Sequence, residues 1–425
     1  MAVMNHRNLP VIFLLGGLNI AAGQPSYTVH DLGTLGGTQS TAAGINQSGQ
    51  VAGASTTASG LTHAFRTAPN SAINLLTDDL GTLGGLYSDA RGINASGQVI
   101  GGSTDGTGAS LSYRTAPNAP INPASDNLGA LGGIRPSTFV SGIDDAGRAV
   151  GESVAISGFF HAFRTAANSP INSATDDLGD FGGQSSNAVS INKNGDILGS
   201  YFPAVGGAYP YAVLLKGGTL TQLGGLGLGS VAGVNDLDQA AINVNEQASL
   251  WSNGTVTPLA PLVSAALGIN NSGQTVGYAP AGTAPQHAFL YANGVRVDLN
   301  TLIPLSSGWT LLSATAINDA GQIAGNGQIN GQPHAFRLDP IISPMDSINQ
   351  LIGLVGSLTL PWDIATSLCA QLDAARTDLQ RGNSHAARNH LNAFENKVHA
   401  QTGKKLTMDQ TNQLLAAAEA TIQLL

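Results

Sequence analysis

A short phrase, in its full form Ile-Asn-x-Ser-Gly-Gln-Val, recurs seven times along this chain of 425 residues. Its first two positions are Ile45-Asn46, Ile93-Asn94, Ile143-Asp144, Ile191-Asn192, Val234-Asn235, Ile269-Asn270 and Ile317-Asn318. Successive copies lie 48, 50, 48, 43, 35 and 48 residues apart. A unit of this size cannot bury an apolar face alone, so its copies have to pack on one another in an open array or a closed ring.

Two further phrases accompany the first in fixed order. His-Ala-Phe-Arg follows it at His63, His161 and His334, and as His-Ala-Phe-Leu at His287, with weaker versions at 111–114, 211–214 and 248–251. Asp-Leu-Gly-Thr-Leu-Gly-Gly precedes each unit at Asp31, Asp79, Asn127 and Asp177, and degrades at Gln222, Pro258 and Asp298. The phrases recur together, so each unit is one supersecondary element.

The local pattern of each unit predicts β-strands. Apolar and small or polar residues alternate after each Asn turn, as in Gln98-Val99-Ile100. Asn253-Gly254 and Asn293-Gly294 are the dipeptides most typical of tight hairpins. Four strands per unit is the spacing of a propeller blade.

The two ends of the repeat region predict a closed ring. The last unit ends at 334–338 without a following Asp-Leu-Gly strand, and the chain offers such a strand, Tyr27 to Leu32, before the first unit. Pairing these two segments removes two exposed sheet edges. We therefore expect an all-β, seven-bladed β-propeller over residues 24–340, closed by its N-terminal strand. An open β-solenoid is the alternative.

The residues on either side of the propeller differ from it. Residues 1–23 have a short basic start, an apolar stretch and the small residues Ala21, Ala22 and Gly23, which predicts a signal peptide and a secreted or periplasmic protein. Residues 341–425 are poor in glycine and carry apolar residues every three to four positions. They predict a small bundle of four α-helices, with Ser343 and Thr407 as N-caps.

The composition excludes several classes of protein. Only 10% of residues are charged and 42% are hydrophobic, so the chain can bury a core and is not disordered by charge. The net charge of −9 argues against nucleic acid as a partner. A single cysteine, Cys369, excludes an intrachain disulfide and a cysteine-based zinc site. No segment after residue 23 predicts a stable membrane span.

The three phrases of residues 27–339 resemble the HAF family of bacterial extracellular repeats, which is named for the His-Ala-Phe found here. That resemblance implies a secreted location and brings no established activity or catalytic residues. The helical tail, with apolar stripes that include Leu372, Leu379, Leu391 and Phe394, resembles the FIMAH module of secreted bacterial proteins. This second resemblance implies an accessory role.

Several polar groups are candidates for chemistry, and the repeat explains most of them. Equivalent histidines in different blades would lie around a ring and not converge on a metal, so we expect structural hydrogen bonds from them. The pairs Asp78-Asp79, Asp144-Asp145 and Asp176-Asp177 fit turn positions better than the two-carboxylate site of a glycosidase. The turns at 192–196 and 235–238 only faintly resemble calcium loops, because the complete ligand pattern is missing. We predict no catalytic residue, no metal and no cofactor.

Two features predict where a partner binds. Inserts at 66–76, 114–123 and 164–173 would stand on one face over three neighbouring blades. Aromatic residues collect on the opposite face, between second and third strands, although only 5% of the chain is aromatic. These predicted ligand-binding residues are Phe159, Phe160, Tyr201, Phe202, Tyr209 and Tyr278. Aromatic rings can stack on sugars or fill apolar pockets of a protein, and they can equally pin long loops to the rim.

The preferred hypothesis is an exported, non-catalytic binding or adhesion scaffold for extracellular glycan or protein. The alternative is a secreted hydrolase or lyase with its site in the central funnel, which rests on fold analogy alone. The hypotheses differ in the funnel lining. We expect glycine and alanine there, and convergent ionisable side chains would favour the enzyme.

Overall fold

The structure is a computed structural model that describes residues 26–133, 137–204, 207, 209–282 and 284–425. The predicted signal peptide, residues 1–23, lies outside the described residues. Two compact units are present, one comprising Tyr27–Pro340 and the other containing residues 341–425. The first is built of strands and the second of helices.

The strands, in chain order, are β1 Tyr27–Asp31, β2 Gly36–Ile45, β3 Val51–Thr57, β4 Thr62–Arg66, β5 Gly84–Ile93, β6 Val99–Asp105, β7 Ser110–Arg114, β8 Thr138–Ile143, β9 Ala149–Val154, β10 Phe160–Arg164, β11 Ser185–Ile191, β12 Ile197–Phe202 and β13 Tyr211–Lys216. They continue with β14 Thr219–Gly225, β15 Ser230–Val234, β16 Ala240–Val244, β17 Gln247–Ser252, β18 Thr255–Pro258, β19 Ala265–Ile269, β20 Thr275–Ala281, β21 Ala284–Ala292, β22 Val295–Asp298, β23 Trp309–Ile317, β24 Ile323–Ile329 and β25 Gln332–Pro340. Short 3₁₀ helices occupy Leu299–Thr301 and Leu305–Ser307.

These strands form six hydrogen-bonded sheets, in the orders β1-β25-β24-β23, β2 to β7, β10-β9-β8, β11 to β14, β15 to β18 and β19 to β22. The described chain is therefore a six-bladed β-propeller followed by a region of four helices, and the prediction of seven blades is wrong.

The difference arises where the first two sequence units meet. In units four to six, a fourth strand pairs with the third strand of the unit. In the first unit, the Asp-Leu-Gly segment after β4 makes a single antiparallel bridge instead, between Phe65 and Asp79. The edge of β4 then pairs in parallel with β5 at Thr62 and Tyr87. Because of this bridge, the first and second units share one six-stranded sheet.

The opening strand closes the ring, as predicted from the two ends of the repeat region. β1 pairs antiparallel with β25, with Val29 opposite Leu338 and Asp31 opposite Phe336. Tyr27 at its start is only 1% exposed, and this burial raises its pKa to about 12. The first and last repeat segments thus belong to one sheet.

Glycines inside the second strand of most units allow neighbouring strands to approach closely. A Cβ on Gly53 would lie 1.9 Å from the carbonyl oxygen of Thr41 on β2. The register shift between Ala42 and Gly44 bends β2 toward β3 at this point. Any side chain here would force the two strands apart, which explains part of the excess of glycine.

The core of each blade is centred on the aromatic position of His-Ala-Phe-Arg. That position is 0% exposed in five units, at Phe65, Tyr113, Phe163, Phe289 and Phe336. Apolar side chains of the preceding unit in the ring cover it, as in the cluster that joins Phe65 with Ala324 and Ala335 of the last unit. Burial of one such ring contributes several kcal/mol, because its truncation to alanine typically costs about 3–5 kcal/mol.

A ring of side-chain amides ties the inner edges of the units together. Each Asn of the Ile-Asn phrase donates its Nδ2 to the backbone oxygen of the equivalent residue in the next unit. The bonds are Asn46 to Asn94 (3.0 Å), Asn94 to Asp144 (2.9 Å), Asn192 to Asn235 (3.1 Å), Asn235 to Asn270 (3.0 Å), Asn270 to Asn318 (3.0 Å) and Asn318 to Asn46 (3.0 Å). Asp144 has no amide to donate and instead accepts from Arg148 Nε at 2.5 Å.

The helical unit consists of α1 Pro344–Ser357, α2 Trp362–Gln380, α3 Ser384–Gln401 and α4 Met408–Gln423. The four predicted helices are confirmed. Ser343 caps α1, and Thr407 with Gln410 forms the predicted capping box of α4. The helices share a core that includes Leu372, Leu391 and Phe394. None of the helices in the described part of the chain is long and apolar enough to cross a membrane.

We predict that Asn270→Ala destabilises the propeller. Asn270 is 3% exposed, donates to the backbone oxygen of Asn318 and accepts from the backbone N–H of Gln274 at 3.0 Å. The substitution leaves these buried groups unpaired, which costs about 2 kcal/mol. Urea denaturation of the purified chain measures the loss.

Ser272→Ala in the same turn is the control, because its hydroxyl makes no hydrogen bond with the described residues. We expect this variant to stay within about 0.5 kcal/mol of the unsubstituted protein. Equal stability of the two variants would show that the amide ring contributes nothing.

Candidate ligand-binding cleft

A cleft of 660 Å³ opens on the face of the propeller where second and third strands are joined. Its described lining residues are Phe202, Tyr209, Pro210, Gly227, Leu228, Gly229, Ser230, Asn243, Glu246, Val263, Ser264, Ala265 and Tyr278. They come from units four, five and six, whose sequences depart most from the repeat. This volume falls in the range of small-molecule sites.

The connections that border the cleft differ in length. Unit four has a long connection, residues 203–210, between β12 and β13. In unit five, β16 and β17 are joined by the tight turn Asn245-Glu246, whose φ angles of 50° and 61° are those of a two-residue hairpin. The described residues Tyr209 and Pro210 of the longer connection and Glu246 of the tight turn line the cleft together.

Three predicted aromatic residues line this cleft. Phe202 ends β12, Tyr209 lies in the connection to β13, and Tyr278 lies on β20. Phe202 is 47% and Tyr209 is 48% exposed, although large apolar rings are normally covered. Leu228 and Val263 add further exposed apolar surface. The cleft therefore presents a partly apolar wall to solvent.

The polar side chains of the cleft differ in how far protein groups satisfy their hydrogen bonds. Asn243 is buried and fully used, because it donates to Ser230 Oγ (3.1 Å) and the backbone oxygen of Ala266 (3.2 Å) and accepts from the backbone N–H of Ala266 (2.8 Å). The backbone of Glu246 is fixed by bonds to Leu228 (3.0 Å) and Ser264 (2.9 Å). The side chain of Glu246 is exposed, and no hydrogen bond to its carboxylate is found among the described residues.

Val263 adds backbone strain at the rim of the cleft. Its φ of 64° lies in the left-handed region, which is unfavourable for a β-branched residue. Strain of this kind concentrates at binding and catalytic sites. Sequence reasoning missed Leu228, Glu246 and Val263, because none belongs to an aromatic cluster or a motif.

The other three predicted aromatic residues lie outside this cleft. The ring of Phe160 packs against Phe139 with centroids 6.0 Å apart, and Tyr201 stacks on Tyr211 at 5.6 Å. Phe159 lies in the turn before β10 and is 45% exposed. The structure thus brings together three of the six predicted residues, and two of the others contact neighbouring rings.

The mouth of the central channel is a second cavity, of 400 Å³. Its lining comprises isoleucines of the repeat phrase, the asparagines that follow them and the side chains of Asp145, Lys193, Asp236, Asn271 and Asp319. The expectation of glycine and alanine at this mouth is wrong, since each turn directs its Ile-Asn pair and the next residue toward the axis.

The charged groups of the channel mouth bind one another. Lys193 Nζ lies 2.9 Å from Asp236 Oδ2, and this hydrogen bond raises the pKa of Lys193. Asn271 Nδ2 donates to carboxylate oxygens of Asp236 (2.7 Å) and Asp319 (3.0 Å). These contacts join residues of different units, so they support the ring closure.

The histidines of the repeat form hydrogen-bonded pairs with the aspartates of Asp-Leu-Gly. The Nδ1···Oδ distances are 2.9 Å for His63–Asp79, 3.0 Å for His161–Asp177, 2.7 Å for His287–Asp298 and 2.9 Å for His334–Asp31. The expected structural hydrogen bond is confirmed at these four histidines.

The units without this histidine also lack the aspartate. The equivalent pairs are Leu111 with Asn127, Tyr211 with Gln222, and Gln247 with Pro258. Because the histidine and the aspartate are lost together within one chain, the role of each histidine is its hydrogen bond with the aspartate. Among the described residues, no three His, Cys, Asp or Glu side chains converge on a point that could hold a metal ion.

The acidic pairs of the inserts act as turn caps. Asp78 Oδ2 accepts from the backbone N–H of Asn74 at 2.8 Å, and Asp126 and Asp176 accept equivalent bonds from Asn122 and Asn172. The second residue of each acidic pair, Asp79 or Asp177, accepts the hydrogen bond of a repeat histidine, and Asn127 occupies the same position in the second unit. The turn interpretation of Asp78-Asp79 and Asp176-Asp177 is confirmed.

Comparison with protein families identifies a match to the FIMAH domain at residues 346–423. These residues run from α1 to the end of α4, so the predicted resemblance of the helical tail is confirmed. The resemblance of the β repeats to the HAF family stays a prediction. No curated protein matches the sequence.

Several solved structures align with the chain at low identity. TolB from Acinetobacter baumannii is 10% identical with a TM-score of 0.38, over 58% of this chain and 61% of that one. A chain from a study of two prolyl endopeptidases is 9% identical with a TM-score of 0.47, over 72% and 51%. The lectin of Aleuria aurantia, described as a six-bladed β-propeller with a novel fucose recognition mode, is 10% identical with a TM-score of 0.30, over 58% and 88%. This chain spans less than two thirds of the length of the first two.

We predict that His63→Leu and Asp79→Asn are coupled in their effect on stability. Together they reproduce the Leu111 and Asn127 of the second unit, where Asn127 Oδ1 still accepts the backbone N–H of Gly129 at 2.9 Å. The pair is partly exposed, so the coupling free energy should be about 0.5–1 kcal/mol. Urea denaturation of both single variants, the double variant and the unsubstituted protein measures it. Strictly additive effects would contradict a direct contribution of the pair to stability.

Proposed function

We propose that the protein is an exported, non-catalytic binding propeller that holds an extracellular glycan in the cleft formed by units four to six. The observation that carries this proposal is the convergence of Phe202, Tyr209 and Tyr278 on one open cleft of 660 Å³. Export rests on the predicted signal peptide and the resemblance to extracellular repeats.

The shape and lining of the cleft suit a sugar ring. One face of a pyranose carries C–H groups that pack on aromatic rings, while its edges carry hydroxyls that need hydrogen-bond partners. Phe202 and Tyr209 supply exposed rings, and the Glu246 carboxylate supplies acceptors for hydroxyl groups. This combination of apolar wall and few polar groups is typical of small-molecule sites.

The cleft has less support as a hydrolytic site. Glycoside hydrolysis ordinarily uses two carboxyl groups on opposite sides of the scissile bond. Glu246 is the one carboxylate among the described residues that line the cleft. At the channel mouth, the ionisable side chains of Lys193, Asp236 and Asp319 converge, which favours the alternative of a hydrolase or lyase in the funnel. Asn271 bonds both carboxylates and Lys193 pairs with Asp236, so these groups already bind one another, which supports a structural role for them.

We predict that Phe202→Ala and Tyr209→Ala each weaken glycan binding about tenfold, because a lost ring contact of this size is worth ~1.4 kcal/mol. A glycan array probed with the labelled full chain identifies the bound glycan. Titration calorimetry with that glycan then gives the dissociation constants of the variants.

Phe159→Ala and Tyr87→Ala are matched controls, because each ring is 45% exposed and neither lines the cleft. We expect both to bind like the unsubstituted protein. Unchanged binding by the Phe202 and Tyr209 variants, or equal losses in the controls, would refute the cleft as the binding site. Capture of protein partners in place of glycans would refute the substrate class.

A further inference from the structure

The inserts of the early units bridge neighbouring units on the face opposite the cleft. Arg66 Nη1 donates to the backbone oxygens of Gly97 (3.1 Å) and Ala119 (3.0 Å), both in the second unit. Arg114 Nη1 makes the same two bonds to Gly147 (3.2 Å) and Ser169 (3.0 Å) in the third unit. Each arginine therefore binds a backbone carbonyl of the insert that follows it.

The same inserts cover a leucine of the preceding Asp-Leu-Gly segment. The backbone N–H of the insert isoleucine donates to the leucine oxygen in three places, Ile73 to Leu32 (2.9 Å), Ile121 to Leu80 (2.8 Å) and Ile171 to Leu128 (2.8 Å). These three leucines are at most 1% exposed. An insert thus supplies a carbonyl, an N–H and an apolar side chain.

The junction between the third and fourth units lacks this bridge. In the fourth unit the tight turn Gly217-Gly218 joins β13 to β14 where an insert stands in the first three units. Among the described residues, the one hydrogen-bond contact of the Arg164 guanidinium is a long one, 3.5 Å from its Nη1 to the backbone oxygen of Gly195. Leu178 is only half-buried, and no hydrogen bond to its carbonyl is found among the described residues.

A cavity of 530 Å³ lies at this junction. Its described lining residues are Arg164, Leu178, Asn194, Gly195, Asp196, Leu215, Lys216, Gly217 and Gly218. Lys216 is paired with Asp238, whereas most N–H donors of the Arg164 guanidinium have no acceptor among the residues that the structure describes. The cavity therefore offers a cationic donor, an apolar wall of Leu178 and Leu215, and an open backbone acceptor.

We propose that this cavity binds a peptide segment of a partner protein with the chemistry of the inserts. The partner's backbone carbonyl accepts from Arg164, its apolar β-branched side chain covers Leu178, and its backbone N–H donates to the Leu178 oxygen. Equivalent junctions of the same chain hold such a segment, Ala-Pro-Asn-Ala-Pro-Ile-Asn at residues 116–122 being one example. The site is separate from the cleft and independent of glycan binding.

The test uses a fluorescein-labelled peptide with the sequence of residues 115–123, titrated into the full chain and followed by fluorescence anisotropy. We expect saturable binding with one peptide per chain. A peptide with Asp in place of the isoleucine should bind at least about tenfold more weakly, because its carboxylate cannot cover Leu178. This comparison leaves the protein unchanged, so it cannot be confused with a folding defect.

Arg164→Ala should also weaken binding about tenfold, since it removes a charge-assisted hydrogen bond. Arg296→Ala, an exposed arginine at the tight turn between β21 and β22, is the matched control and should bind normally. Absence of saturable binding, equal affinity for the Asp peptide, or no effect of Arg164→Ala would each overturn the proposal. Displacement of the peptide by inorganic phosphate with no dependence on the isoleucine would show a simple anion site instead.

Discussion

The propeller depends on the amide of the repeated asparagine, which six of the seven units donate to the backbone of the next. The bond from Asn318 to Asn46 joins residues at opposite ends of the repeat region and closes the ring at its inner edge. The pairing of β1 with β25 closes it through the sheet. Two independent contacts therefore hold the same closure, one around the axis and one within a blade. An edge strand and an unpaired amide would otherwise both face solvent.

This constraint acts on the turns at the inner edge of the ring and allows the connections between the other strands to vary in length. The Ile-Asn turn has to keep its register, since a change there affects two units at once. Where its amide is missing, Asp144 bonds Arg148, and where its glycine is missing, Asp238 takes the positive φ of 60°. Connections between second and third strands vary more freely, and connections between third and fourth strands bridge neighbouring units only where they carry an insert. Unit four lengthens the former, over residues 203–210, and shortens the latter to Gly217-Gly218. Each departure from the repeat leaves an opening, one on each face of the ring.

Comparison of units within one chain separates structural residues from candidates for binding. Histidine and aspartate are present together or absent together, so their contact explains both. Arg66 and Arg114 have their acceptors in the following insert, and the equivalent Arg164 has lost them. A polar group that keeps its residue type while its partner is missing is a stronger candidate than any group in a complete unit. The same comparison reassigns Tyr201, which stacks on Tyr211, to packing.

The sequence alone determined the strands, the tight turns, the closing strand and the four helices, because alternation, Asn-Gly pairs and caps are local signals that neighbouring residues satisfy. It also predicted an aromatic face, of which the cleft contains Phe202, Tyr209 and Tyr278. The tertiary structure decided how seven units are divided among six sheets, since a single bridge between Thr62 and Tyr87 depends on which edges meet in space. It alone decided that Phe202, Tyr209 and Tyr278 share a cleft with Glu246, because that depends on the lengths of loops from three different units and on a strained Val263 that no local pattern reveals.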